Sequence, residues 1–378
     1  MNNMEEQQNI DNREKGLIKY MSFGSPLIDI IADVPNEFVK RNNIIMNTST
    51  HSHSLEKDVP WFKEFIKYDL TFIPGGCQFN AMRVFNWMLQ RNENESEIMG
   101  FLGSVGEDNY NDIYQNLLEV ENIVTFFENI RDGKTGMCLV VCNNRERAHI
   151  TDLGASTSIS KEFINRVWNN FKDVKLIFTE LFIIQSQKEL VYKLAELGKA
   201  DDKIYSFNLP STFFLIKFKD EILDLIGYAD VVFSNFEEAK TYCNELNNSK
   251  KEETIDEIIK KLVKLPKKNK NKKRIFVITA GPLDAWCCAY DFQKEKITFC
   301  KGFAPNDVRE DLIIDTNGAG DSFAGGFLSN YMKGRTLTDC MIAGHWASSV
   351  IIQQRGFQIP SDIVYIPQDS VPDEEYKE

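Results

Sequence analysis

Ile313-Ile314-Asp315-Thr316-Asn317-Gly318-Ala319-Gly320-Asp321-Ser322-Phe323-Ala324-Gly325-Gly326 predicts a short apolar strand, a glycine-rich turn and the start of a helix. Small residues at a helix N-terminus leave backbone N–H groups free to collect an anion. A carboxylate there would ordinarily repel that anion. Asp321 makes chemical sense if it must take a proton from a hydroxyl that attacks a phosphate. The bland alternative is an ordinary turn in which Asp favours a helix start. The sequence holds no Gly-x-x-x-x-Gly-Lys-Ser/Thr loop, and Phe323 breaks a Gly-x-Gly-x-x-Gly dinucleotide pattern.

Working outward, the second half of the chain alternates strand and helix. Lys175–Thr179, Ile204–Asn208, Val231–Ser234 and Ile275–Thr279 read as short apolar strands. Gln187–Gly198 and Ile255–Leu265 read as helices between them. Such alternation predicts an α/β fold with a mostly parallel sheet covered on both faces. Ligands in such sheets lie beyond the carboxyl ends of the strands. The first half breaks the rhythm at about 33–72 and 133–155. Met137–Cys142 and Ala148–Leu153 look like a hairpin. Both segments are expected to build a small β-rich lid, discontinuous in sequence, that excludes water from the site.

The chain has 378 residues, 43% of them apolar, which permits a large core. Forty-four Lys and Arg against 56 Asp and Glu give a net charge of −12, so general nucleic-acid binding is not expected. One basic run, Lys267-Lys268-Asn269-Lys270-Asn271-Lys272-Lys273-Arg274, reads as a solvated loop, with a nuclear signal as the alternative. Eight scattered cysteines suggest reduced thiols and a cytoplasmic setting, with a nuclear pool as the further option. Residues 1–15 are polar and read as a disordered tail. No apolar run reaches the roughly 20 residues of a membrane span. His51 and His53 lack a third ligand nearby and read as a polar loop.

Three further motifs accompany the opening stretch. Pro74-Gly75-Gly76-Cys77-Gln78-Phe79-Asn80 opens a helix, with Asn80 in its first turns. Its glycines allow close approach to backbone N–H groups, and the Asn amide can both donate to and accept from sugar hydroxyls. Phe23 to Ile30 is an apolar run holding one carboxylate, Asp29, which could accept from two vicinal hydroxyls. Asn235 and Glu238 stand three apart on one predicted helix face. They could organise a hydrated Mg²⁺–nucleotide or simply form a capping box.

In this order, the motifs resemble the ribokinase-like (PfkB) family of sugar and nucleoside kinases, over about residues 20–360. The resemblance is strongest to members that act on adenosine, through Gly24–Ile30, Asn86–Leu89, Asp315–Gly318 and Ala343–Ala347. It implies a large α/β domain with a β-rich lid, acting as a monomer on adenosine and ATP with Mg²⁺. It further implies that Asp321 is the general base and Gly318, Ala319 and Gly320 the anion hole. Asp29, Gly75, Gly76, Asn80 and Asn317 would hold the ribose, and Phe182 would stack on the base. Asn235, Glu238, Thr279 and Gly281 would serve ATP and its metal, Glu238 through water. His345 and Trp346 would fall near the ATP side, or serve helix packing alone. The family's lid arginine matches Arg145 by local identity and Arg147 by ungapped counting, and the second is preferred. Cys77-Gln78-Phe79 departs from the family pattern and leaves the acceptor open. Another nucleoside or sugar, or nucleoside binding without catalysis, are the alternatives.

Overall fold

A computed structural model of the chain describes residues 18–89, 98–119, 121, 123–144, 146–247, 252–302, 308–367 and 373. The expected N-terminal tail and Arg145 lie outside them. Among the described residues the strands are β1 (Ile18–Phe23), β2 (Leu27–Asp33), β3 (Thr48–Ser52), β4 (Thr71–Gly75), β5 (Ile98–Gly106), β6 (Ile123–Ile130) and β7 (Gly136–Asn143). They continue with β8 (Glu146–Asp152), β9 (Leu176–Thr179), β10 (Ile204–Asn208), β11 (Val231–Asn235), β12 (Arg274–Thr279), β13 (Ala285–Asp291) and β14 (Lys296–Gly302).

Nine strands form one sheet in the order β14-β13-β12-β11-β10-β9-β1-β5-β6. From β6 to β12 every pairing is parallel; β13 and β14 close the edge antiparallel. The two-residue side-chain period of a strand divides the core between two faces. Val231 and Phe233 of β11, with Ile275 and Val277 of β12, enter one cluster beside Phe79, Phe85, Phe323 and Phe327. Val232, Phe276 and Ile278 enter the other, beside Leu190, Leu194, Leu225 and Ile259. Helices Cys77–Leu89, Ala319–Met332 and Leu337–Ile351 supply the first face. Helices Ile184–Gly198, Lys219–Tyr228 and Ile255–Val263 supply the second. Each fully buried aromatic or aliphatic side chain contributes about 1.5–3 kcal/mol to this packing.

Five strands form the smaller sheet, ordered β3-β8-β7-β2-β4. It takes in β2 and most of β4 in addition to the expected segments 33–72 and 133–155. The chain leaves the large sheet at Phe23 and enters the small one at Leu27. The apolar run around Asp29 is therefore two strands in two sheets, joined by Gly24-Ser25-Pro26.

Two expectations need correction. Ile313–Asp315 is not a strand; the N–H groups of Ile314 and Asp315 donate to the Ile352 carbonyl at 2.9 and 3.1 Å. The basic run is a loop only partly open to solvent: Lys268, Lys270 and Lys273 are exposed, but its other three cations are held. Lys267 and Lys272 both pair with Asp230, at 2.8 and 2.5 Å, and Arg274 is wholly buried. Its guanidinium donates to the carbonyls of Ile226 and Pro266. A receptor-read signal needs an accessible run, and these contacts withhold three of its cations. Gly325 and Gly326 serve helix–helix contact. A Cβ at Gly325 would lie 2.1 Å from the Ala81 carbonyl oxygen, and one at Gly326 2.6 Å from that of Ala343.

Candidate active site

The cleft lies beyond the carboxyl ends of β9, β10, β11 and β12. Its volume is about 240 Å³, and Glu180, Phe182, Asn208, Asn235, Glu238, Gly320 and Asp321 are among its walls. Parallel pairing in register brings these ends together, as with Asn235 opposite Thr279.

Gly318 caps the helix Ala319–Met332 in the left-handed region at φ 72°, without a side-chain cap. Only glycine fits there, since a Cβ would meet the Phe357 ring at 2.3 Å. A Cβ at Gly320 would meet nothing within 4 Å, so this turn opens onto the cleft. Asp321 sits in the first turn of that helix. Burial pushes its carboxyl up to about 7; a hydrogen bond from Asn80 opposes this, and the charges of Glu180 and Asp29 add to it. A carboxylate that titrates near neutrality suits a general base.

Asp29 on β2 is packed against the glycine pair. A Cβ at Gly75 would come within 2.3 Å of Asp29 Oδ1. Gly76 has φ 100°, and a Cβ there would strike the Ser25 carbonyl oxygen at 2.4 Å. Burial raises the Asp29 carboxyl to about 7, with Arg83 opposing and Asp315 assisting. The side chain of Asn80 reaches Asp321, while its buried Oδ1 has no partner among the described residues. A buried orphan acceptor beside Asp321 is a place for a ligand's donor.

The two sheets meet at the anion turn. Arg147 on β8 points its Nε at Asp315 Oδ2, 3.5 Å away. His149 on the same strand meets the Asn317 amide at 2.7 Å. Asn317 is also fixed by its own N–H, which donates to Asp315 Oδ1 at 3.0 Å. Arg147 therefore stands beside the turn. The other alignment, Arg145, falls outside the described residues.

Asn235 and Glu238 form a reciprocal cap rather than sharing a helix face. Asn235 ends β11, and its N–H donates to Glu238 Oε2 at 2.9 Å. The Glu238 N–H returns the bond to Asn235 Oδ1 at 2.8 Å. Burial still raises the Glu238 carboxyl to about 7, and the bonds to Asn235 oppose it. Thr279 shares this wall. Gly281 follows at φ 61°, with open space where a Cβ would be. Phe182 also lines the cleft, 38% exposed and edge-on to Phe214. Trp346 stacks on Trp87 at 5.1 Å and His345 is edge-on to Phe323, so both serve packing between helices.

The model of the family described as pfkB family carbohydrate kinase matches residues 67–363. The chain belongs to the pfkB family of kinases. This pfkB kinase is 30% identical over 358 residues to an adenosine kinase of Dictyostelium discoideum, covering 91% of the chain and 97% of that protein. Adenosine kinase 2 of Arabidopsis thaliana is 29% identical, over 90% and 95% of the two chains. Among solved structures, the Schistosoma mansoni adenosine kinase with adenosine and AMP matches at a TM-score of 0.77 and 26% identity, over 92% and 98% of the chains. The Anopheles gambiae adenosine kinase in complex with P1,P4-di(adenosine-5) tetraphosphate matches at 0.75 and 27%, over 90% and 96%.

Two cleft residues of the pfkB kinase escaped the sequence reading. Asn208 ends β10 with its Oδ1 buried and without a partner among the described residues. Its place at a strand's carboxyl end was the available signal. Glu180 follows directly on β9, and burial raises its carboxyl to about 7 against the bonds it accepts from Ser25. Its partner is 155 residues away, and no local pattern announces it.

Proposed function

We propose that this pfkB kinase transfers the γ-phosphoryl of ATP to the ribose 5′-hydroxyl of adenosine, giving AMP and ADP. The observation that carries the reading is Asp321, a near-neutral carboxylate in the first turn of an open, glycine-capped helix. Adenosine kinases matched over nine-tenths of the chain support adenosine as the acceptor.

In this reading Asp321 takes the hydroxyl proton as the oxygen attacks. The N–H groups at Gly318, Ala319 and Gly320 face the charge that develops on the phosphoryl oxygens. Asp29 and Asn80 hold the ribose hydroxyls, the Gly75-Gly76 backbone lets the sugar lie close, and Asn317 completes that wall. Phe182 offers its ring to the base. Arg147 leaves Asp315 for the phosphoryl when the small sheet closes as a lid. Asn235, Glu238, Thr279 and Gly281 form the ATP side.

Mg²⁺ fits this site as a hydrated ion. One Glu238 oxygen is committed to the Asn235 N–H, and the carboxyl is raised by burial, which a nearby cation would offset. Among the described residues no group of three or more His, Cys, Asp or Glu gathers to hold a metal directly. When bound, Mg²⁺ would neutralise charge on the nucleotide phosphates.

Eight free cysteines, seven of them buried, support a cytoplasmic enzyme, which we take to act as a monomer. Among the described residues no helix is long and apolar enough to cross a membrane.

The deciding experiment is ADP release with adenosine, inosine, guanosine, ribose and fructose as acceptors. Adenosine is expected to give the highest kcat/KM. Turnover of ribose or fructose without adenosine would overturn the reading and move the chain elsewhere in its family. Cys77, where the family carries a hydroxyl residue, makes that comparison necessary.

A further inference from the structure

Glu180 is a carboxylate in the cleft wall that the proposed chemistry does not use. It is 7% exposed, and among the described residues it has no ion-pair partner within 4.0 Å. Burying such a group is costly unless its position serves something. Its geometry is closely constrained. The Glu180 N–H donates to the Phe23 carbonyl at 2.9 Å, where β1 and β9 both end. Its Oε2 accepts the Ser25 N–H at 2.6 Å. A Cβ at Gly24 would lie 2.7 Å from that same oxygen. On its far side, Ser25 has its carbonyl against Gly76. Ser25 is thus held between Glu180 and the glycine pair, at the point where the chain crosses from the large sheet to the small one.

The groups sharing this corner are mainly acidic. Asp29 lies on β2, Cys77 opens the helix Cys77–Leu89, Glu238 stands on the helix Phe236–Asn247, and Asp321 stands on the helix Ala319–Met332. The cation acting on the cluster, Arg83, is bound to Glu121 at 2.6 Å and acts on Asp29. Arg147 is engaged by Asp315. The charge of Glu180 therefore bears on Asp321 and on the Cys77 thiol with no cation between the named groups.

We propose that Glu180 is a positioning residue of the reaction: it fixes the Ser25 crossover against the cleft, and its negative charge strengthens Asp321 as a proton acceptor. The proposal rests on the phosphotransfer reading given above. It assigns two separable contributions to one side chain. The hydrogen bond holds the start of β2, and hence Asp29, at a set distance from the large sheet. The charge disfavours a second negative charge nearby, so Asp321 keeps its proton to higher pH and binds it more strongly once taken.

Glu180→Gln keeps an acceptor for Ser25 and removes the charge; Glu180→Ala removes both. In Glu180→Gln the acidic limb of the kcat–pH profile should move to lower pH by roughly one unit. The acceptor KM should hold in Glu180→Gln and rise several-fold in Glu180→Ala. A second readout does not depend on turnover. Cys77 is the exposed thiol of the eight, and its ionisation is suppressed first by Asp321, then by desolvation, then by Glu180 and Asp29. Iodoacetamide alkylation of Cys77 at pH 9, with Cys77→Ser as the blank, should therefore run several-fold faster in Glu180→Gln. Unchanged alkylation and an unmoved acidic limb would overturn the charge role, even with adenosine turnover intact. Equal KM in both variants would overturn the crossover role. Faster alkylation in a protein that does not phosphorylate adenosine would leave the electrostatic assignment standing and remove the choice of acceptor.

Discussion

Arg147 of the small sheet rests its Nε 3.5 Å from the Asp315 carboxylate, at the head of the anion turn. The pair joins the two sheets through a contact that a phosphoryl group could take over. Arg147 is 13% exposed at its side chain and Asp315 5%, so little water competes with either. Transition-state charge at the γ-phosphoryl would draw the guanidinium off Asp315. Arg147→Ala should lower kcat by about 10²-fold while changing the adenosine KM by less than about 3-fold. Steady-state kinetics checks this, and a change confined to KM would remove Arg147 from the reaction.

Gly75 carries the position of Asp29. Its missing Cβ is replaced by the Asp29 carboxylate, 2.3 Å from where that carbon would be. Gly75→Ala must push Asp29 away or distort β4, and either displaces the group assigned to the ribose hydroxyls. The acceptor KM is expected to rise by on the order of 10-fold, with the KM for ATP unchanged. Equal effects on both substrates would point to general unfolding of the small sheet instead.

Lys267 and Asp230 form a buried pair at the opposite end of β11. The Lys267 ammonium is fully buried, donating to Asp230 Oδ1 at 2.8 Å and to the Ala229 carbonyl at 2.6 Å. Desolvation lowers its proton affinity to about 8, with the Asp230 charge opposing. Lys267→Ala would leave Asp230 with Lys272 and the Tyr205 N–H in a dry site. A loss of roughly 3 kcal/mol in urea unfolding is expected. The cleft is about 15 Å away along the strand, so kcat per folded molecule should be unchanged. A stability change under about 1 kcal/mol would mean that Lys272 suffices.

These residues also show what the sequence could and could not convey. Asp321, the glycines before it, Asp29, Gly75-Gly76 and Asn80 were legible because each sits where a local pattern breaks. A carboxylate in an apolar run and glycines at a helix start are local signals. The sheet was legible for a similar reason, since β9 to β12 are short apolar runs separated by helices. Lys267, Lys272 and Arg274 misled because a basic run between turns reads as solvated, whereas Asp230 and the Ala229 and Ile226 carbonyls that hold them lie far back in the chain. Ile313–Asp315 has a strand's composition, but its N–H groups are taken by Ile352, a partner that composition does not reveal. Glu180 was missed on the same ground: Ser25 gives it meaning, and only the fold brings the two together.

The raised carboxyls set opposite pH trends for stability and for turnover. Asp29, Glu180 and Asp321 each titrate at about 7 in the folded protein, above ordinary carboxylate values. Between about pH 4 and 7 the folded state therefore holds protons that the unfolded chain has lost. Their contribution to stability is fully present below the unfolded values and disappears as pH rises through about 7. The ligand-free protein should lose Tm between pH 5 and 8, while kcat rises over the same range as Asp321 becomes available as a base. Asp321→Asn separates the two trends. It should lower kcat by about 10³-fold yet retain adenosine binding. It should also raise the ligand-free Tm at pH 8, because an amide carries no charge to desolvate. A gain of about 1 kcal/mol would read as roughly 1–2 °C in a chain of this length. Calorimetry at pH 5 and 8, run beside the kinetics, checks both halves. A variant that loses activity and also loses Tm at pH 8 would show Asp321 holding the helix start together rather than acting as a base kept in an unfavourable place.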